Sequence, residues 1–178
     1  MSGPVEPPRR LIAEPLTAAA FAPFGTVIDR AAAGPAPMNA GMARRFPDLA
    51  AVEVAGEGAR VVIGLVEAQP YPLPLRLGLV ERHPLGAQAF LPLNAAPFLV
   101  LVCPDEGGRP GRPLAFVTAP WQGVCYHRGT WHGVLTPFGV PQDFAVIDRG
   151  GPGVNLEEYT FPQPWTVELP SGAGLERG

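Results

Sequence analysis

The 24 prolines and 22 glycines of this 178-residue chain, about a quarter of its length, cut it into short segments. Proline lacks the amide that a helix interior or a central strand must donate, and glycine marks turns, so such spacing leaves no room for long helices. Between the breakers stand runs rich in β-branched and aromatic residues at 60–66, 89–93, 97–102, 114–117 and 143–147. Short strands separated by turn signals predict an all-β sandwich or barrel. Pro92 is expected at a strand end or edge. One short helix is expected near the N-terminus, with Thr17 capping Ala18–Phe21 before Pro23 and Gly25 stop it, followed by a strand at 26–28. Residues 31–41 read as an irregular loop, and the proline-rich tail from Gly150 reads as extended.

Composition bounds the rest. A hydrophobic content of 47% supplies an ordinary core, so the proline and glycine do not signal disorder. With no repeat and no internal boundary, residues 11–165 are expected to form a single domain, with 1–10 and 166–178 as flexible or extended ends. The net charge is -3 and the basic residues form no cluster, which argues against a nucleic-acid partner. All 13 basic residues are arginine, which excludes a lysine Schiff base and a phosphate-binding loop ending in Gly-Lys. Cys103 and Cys125 lack zinc-knuckle or redox spacing and read as core residues. No apolar run is long enough to span a membrane and no apolar leader follows Met1, so a cytoplasmic protein is expected.

All three histidines fall in two segments, 81–88 (Glu-Arg-His-Pro-Leu-Gly-Ala-Gln) and 126–132 (Tyr-His-Arg-Gly-Thr-Trp-His). Imidazole is the side chain suited to proton transfer near neutral pH and to transition metals, so these segments are the candidate site. Glu81 and His83 are one residue apart and on a strand share a face; Arg82 between them points the other way and reads as an outer ion-pair residue. Tyr126 and Trp131 either line a pocket or fill core, and His127 has an equal structural reading as a turn residue. Asp148 and Arg149 read either as a strand-end ion pair or, for Arg149, as a carboxylate clamp.

The spacing Glu81-x-His83-x4-Gln88, with His132 downstream, resembles the two metal-binding motifs of cupins. The resemblance implies a cupin-type double-stranded β-helix barrel, jelly-roll-like, with Glu81, His83, Gln88 and His132 in the ligand positions. Compared with a full His, His, Glu, His set, one imidazole is exchanged for a carboxylate at Glu81 and one carboxylate for a neutral amide at Gln88, which leaves two imidazoles and one carboxylate. No cofactor is therefore fixed by the sequence; a divalent ion (nickel, manganese, iron or zinc) at low occupancy is the candidate.

Residues 80–90, 123–132 and 143–151, with Asn39-Ala40-Gly41 and the run from Arg45 to Ala50, look together like the ureidoglycolate lyase family, over roughly residues 11–155. That resemblance implies a homodimeric lyase cleaving ureidoglycolate, a small-molecule substrate, to glyoxylate and urea in purine nitrogen catabolism through allantoin. It implies His132, His83 and Glu81 as the acid–base machinery. Asn39, Arg45, Gln88, Tyr126, His127, Arg128, Trp131 and Arg149 are then the candidate substrate-binding residues, the arginines because guanidinium holds both carboxylate oxygens. The family usually has arginine where this chain has Glu67; a carboxylate facing the pocket would repel an anionic substrate. Alternatives are a metal-dependent cupin enzyme on another small carboxylated substrate and a non-catalytic ligand-binding cupin.

Overall fold

A computed structural model describes residues 9–171. In chain order its strands are β1 (Arg10–Ile12), β2 (Glu14–Pro15), β3 (Gly25–Ile28), β4 (Ala36–Met38), β5 (Ala43–Arg45), β6 (Arg60–Ala68), β7 (Leu75–Arg82) and β8 (Gln88–Pro92). They continue with β9 (Phe98–Cys103), β10 (Leu114–Val117), β11 (Gly123–Tyr126), β12 (Trp131–His132), β13 (Thr136–Pro137), β14 (Gln142–Gly150) and β15 (Glu157–Glu168). The single α-helix among the described residues, α1 (Ala18–Phe21), is capped by Thr17, whose side chain accepts from the Ala20 amide. The fold is the all-β barrel that the sequence implied, and β8 ends at Pro92.

Two large sheets carry the architecture. One runs β1-β15-β7-β12-β9-β10-β2, with β13 also on β9; the other runs β3-β11-β8-β14-β6. Only Ala13 separates β1 from β2, and these pair in parallel with β15 and β10 at opposite edges, so residues 10–15 nearly close the first sheet on itself. β9 is buried along its whole length because both faces are covered. Phe98, Val100 and Val102 meet Phe90, Tyr126, Phe144 and Val146 between the sheets. Leu99, Leu101 and Cys103 meet Leu75, Leu77, Phe161 and Val167 inside the nearly closed sheet. Each fully buried aliphatic or aromatic side chain contributes ~1.5–3 kcal/mol, which makes β9 the structural centre.

Two expectations change. The tail, read as extended, is a strand that runs past residue 165 to 168: β15 is paired with β7, its bulge falling between Thr160 and Trp165 around Pro162 and Pro164. A proline cannot donate to a ladder, so the bulge absorbs both. Arg10 likewise belongs to β1, where it pairs with Glu168 at 2.7 Å; residues 1–8 and 172–178 lie outside the described residues. The 31–41 loop contains β4, which pairs with β5 as a hairpin. Its tip, Asn39, Ala40 and Gly41, has φ of 53°, 54° and 89°. Such left-handed geometry costs energy at the two non-glycine positions and is invisible to pattern reading.

Candidate active site

The register of β12 builds the site. His132 lies opposite Val102 of β9 and opposite Glu81 of β7, so all three side chains point between the sheets. His83 follows one residue after β7 on the same face, its ring centroid 5.3 Å from that of His132. Two loops hold it there: the Gly129 amide donates to the His83 carbonyl, and His83 Nδ1 lies 2.7 Å from the Asn155 carbonyl oxygen. A carbonyl can only accept, so Nδ1 carries the proton and Nε2 keeps its lone pair. His132 repeats the arrangement, with Nδ1 3.0 Å from the Gly133 carbonyl oxygen. Both Nε2 atoms are buried without a hydrogen-bond partner among the described residues.

Neighbours tune this pair. Tyr126 stacks flat on His132, centroids 4.3 Å apart and planes at 7°. Burial, with a smaller contribution from a charge on His83, pushes the His132 imidazolium down to about 4; His132 is neutral near pH 7. Glu81 is pushed up, first by burial and then by the carboxylates of Glu158 and Asp148, against the opposing pull of His83. Burial and the Glu81 charge push the Tyr126 phenol up as well. Gln88, opposite Tyr126 on β11, donates through Nε2 to Asp148 Oδ2 at 3.1 Å. A carboxylate accepts only, which fixes the amide orientation and leaves Gln88 Oε1 buried and unpartnered.

A sequence profile described as ureidoglycolate lyase matches residues 8–168. A ureidoglycolate lyase of Chelativorans sp. (strain BNC1) is 61% identical over 162 residues, covering 91% of this chain and 98% of the relative. Those of Mesorhizobium japonicum (55% over 161 residues, 90% and 99% covered) and Rhodobacter capsulatus (55% over 159 residues, 89% and 98% covered) are similar along the same length. The chain belongs to the ureidoglycolate lyase family.

Of the residues that the family resemblance singled out, the structure brings together Glu81, His83, Gln88, Tyr126 and His132. Others are corrected. Trp131 alternates with His132 and points to the opposite face, where Arg82 lies 4.4 Å above its ring and its Nε1 donates to Asp105. Arg82 itself pairs with Glu157 and Asp105 on that same side, at the margin of the core inside the nearly closed sheet, in which Trp131 is buried. Arg149 is no free clamp: it sits on the outer face of β14, and its guanidinium donates to the carbonyls of Ala55, Gly151 and Pro152. The expected Asp148–Arg149 ion pair does not form, because alternation sends the two side chains to opposite faces.

His127 and Arg128 are exposed and border a surface depression with Thr26, Ala51, Glu53 and Ala87, outside the barrel. Asn39 and Arg45 are exposed on the β4–β5 hairpin. Phe46, next to Arg45, packs with Arg30, which also reaches Trp121. Trp121 precedes β11 at the end away from Tyr126, so this hairpin is anchored at the far end of the barrel from His132. Glu67 lies opposite Asp143, in the row that faces away from Phe144 and the interior. Its carboxylate therefore does not oppose a substrate in the site.

Asp148 was missed as a site residue. The alternation Phe144, Val146, Asp148 carries the signal, but Ala145 and Ile147 are apolar too, which blurs the phase. For a metal, Glu81, His83 and His132 each offer a ligand atom, all within 4.8 Å of one another. Two buried imidazole lone pairs without partners and one carboxylate form a donor set that fits a divalent transition metal.

Proposed function

We infer that the chain cleaves ureidoglycolate to glyoxylate and urea, as a carbon–nitrogen lyase. The observation that carries this reading is the juxtaposition of a buried neutral imidazole, His132, with a carboxyl group whose proton is held tighter than usual, Glu81. In the reaction, His132 Nε2 takes the proton of the substrate hydroxyl. The oxygen electrons form the aldehyde C=O, the bond from that carbon to the ureido nitrogen breaks, and Glu81 gives its proton to the leaving nitrogen. Glyoxylate and urea result, and proton return from His132 to Glu81 resets the pair. Positioned acid–base groups of this kind contribute ~10²- to 10⁴-fold. Gln88 Oε1, oriented by Asp148, accepts a ureido N–H, and Tyr126 holds the His132 ring in place.

In a metal-loaded site Glu81, His83 and His132 would hold the divalent ion through these same atoms, so His132 would be a ligand rather than the base, and the ion would polarise the substrate oxygen as a Lewis acid. We assign the working form to a homodimer. Its proposed contact is the outer row of the edge strand β6, where Ile63 and Leu65 are 79% and 76% exposed. A cytoplasmic setting is supported by two buried free cysteines, which suit a reducing compartment. The test is urea and glyoxylate release from racemic ureidoglycolate, corrected for spontaneous decay, with His132→Ala and a chelator as separate arms. Release that needs His132 supports the lyase; release abolished by the chelator assigns the metal a role. Well-folded protein that releases no urea overturns the reading.

A further inference from the structure

A substrate with a carboxylate needs a cation, and apart from the two imidazoles and the Tyr126 phenol the ionisable groups lining the interior of this site are carboxyl groups: Glu81 and Asp148, with Glu158 opposite Glu81 on the neighbouring strand. Arg82 and Arg149 point away from the site, the one paired with carboxylates and the other bonded to backbone carbonyls, and Arg128 lies on the outer surface. Among the described residues of β6 and β14, Arg60 is the arginine on the inward-facing row. Arg60 opens β6 opposite Gly150, and Val62 follows opposite Asp148, so Arg60 stands two residues along the same inward row as the Asp148 carboxylate. That separation is ~7 Å along a strand.

The side chain does turn inward. A Cβ placed on Gly150 would lie 3.5 Å from both Cγ and Cζ of Arg60 and 2.7 Å from Val62 Cγ1, so the guanidinium lies over the bare face of Gly150. Arg60 is exposed, at the rim, and makes no hydrogen bond or ion pair with another described residue. β6 has no strand beyond it, and nothing lies within 4 Å of a Cβ placed on Gly64 farther along the same row. The open edge thus presents an unpaired cation above an otherwise acidic pocket.

Resting on the lyase reading above, the geometry points to Arg60 as the residue that binds the substrate carboxylate. Ureidoglycolate spans roughly 6 Å from a carboxylate oxygen to its terminal nitrogen, by ordinary bond lengths. Its carboxylate at Arg60 leaves the carbinol carbon and ureido group directed down the row toward Asp148, Gln88 and His132. Arg60 sets specificity for an anionic substrate and fixes which end enters first.

The experiment compares the wild type with Arg60→Gln, Arg60→Lys and Arg45→Gln. It measures turnover of ureidoglycolate and calorimetric binding of glycolate and its neutral isostere glycolamide. Arg60→Gln is expected to raise KM and weaken glycolate binding by roughly tenfold to a hundredfold, the range for a lost charge-assisted pair. Its kcat is expected to change little and its glycolamide binding not at all, with Arg60→Lys recovering part of the loss. A merely structural role would move both ligands together. Glycolate binding unchanged in Arg60→Gln, or a selective loss in Arg45→Gln instead, overturns the assignment, as does a wild type that binds no glycolate. If the wild type binds glycolate through Arg60 yet releases no urea, the lyase reading falls while the anion site stands.

Discussion

The two sheets solve the edge problem in opposite ways. In the first, residues 10–15 join both margins, and the interior strands β7, β9 and β12 are locked by neighbours on each side. In the second, β6 has a single partner, β14, and carries apolar side chains into solvent on its outer face and a free arginine on its inner one. In the proposed reaction the closed sheet supplies Glu81 and His132, which must not move, and the open edge supplies access and recognition. Groups that transfer protons need fixed geometry, whereas an edge strand is where a substrate or a second copy can approach.

Changes in the closed sheet should therefore be the costly ones. His132→Ala is expected to lower kcat by ~10²- to 10⁴-fold with the fold retained, read as urea release alongside circular dichroism. A loss under tenfold would mean that proton transfer does not depend on the β12 position. Leu101→Ala empties a side chain that is 2% exposed inside the nearly closed sheet and packs against Gly133. It is expected to cost ~2–5 kcal/mol in chemical denaturation. Leu65→Ala on the open edge, measured on dilute protein, should stay within ~0.5 kcal/mol. Equal losses at the two positions would erase the distinction between the sheets.

Acid should act through the closed sheet as well. His132 titrates at about 4 in the folded chain, below its ordinary 6.5, so between those values the unfolded chain binds the extra proton. Its neutral form contributes no penalty above pH ~6.5, and stability is then lost progressively as pH falls toward ~4, by roughly 3 kcal/mol in full. His132→Phe, which cannot take the proton, should flatten this part of the stability profile. An unchanged profile would show that the acid sensitivity arises elsewhere.

What was legible in the sequence divides along the same line. The strands at 60–68, 88–92, 98–103, 114–117 and 142–150 announce themselves by β-branched runs between breakers, and period-two alternation put Glu81 and His83 on one face. Pairing was not legible, because local pattern does not say that β12 sits between β7 and β9, which alone brings His132 to Glu81. Nor did it say that residues 10–15 close a sheet. Arg149 and Trp131 misled because residue type suggests a ligand contact, while one step of alternation decides the face. Arg60 went unnoticed because its place depends on register with Gly150, a residue of a strand much farther along the chain.

The outer row of β6 carries the smaller expectations. Ile63→Lys combined with Leu65→Lys should convert a dimer to a monomer in sedimentation velocity while leaving circular dichroism unchanged; a wild type that sediments as a monomer at working concentration removes that contact. Glu67→Arg should have the smallest effect of all. Glu67 shares the outward row with Ile63 and Leu65 and lies opposite Asp143, so the two carboxylates are cross-strand neighbours with their charges uncompensated. An arginine there replaces like charges by an opposite-charge pair worth ~0.2–1 kcal/mol, and it reaches no substrate. The expected result is a slight rise in melting temperature with kcat/KM within about twofold of wild type. A change of tenfold or more in kcat/KM would show that the outer face of β6 reaches a catalytic centre, which one protomer's own site gives it no means to do, and would place the second copy's site against this strand.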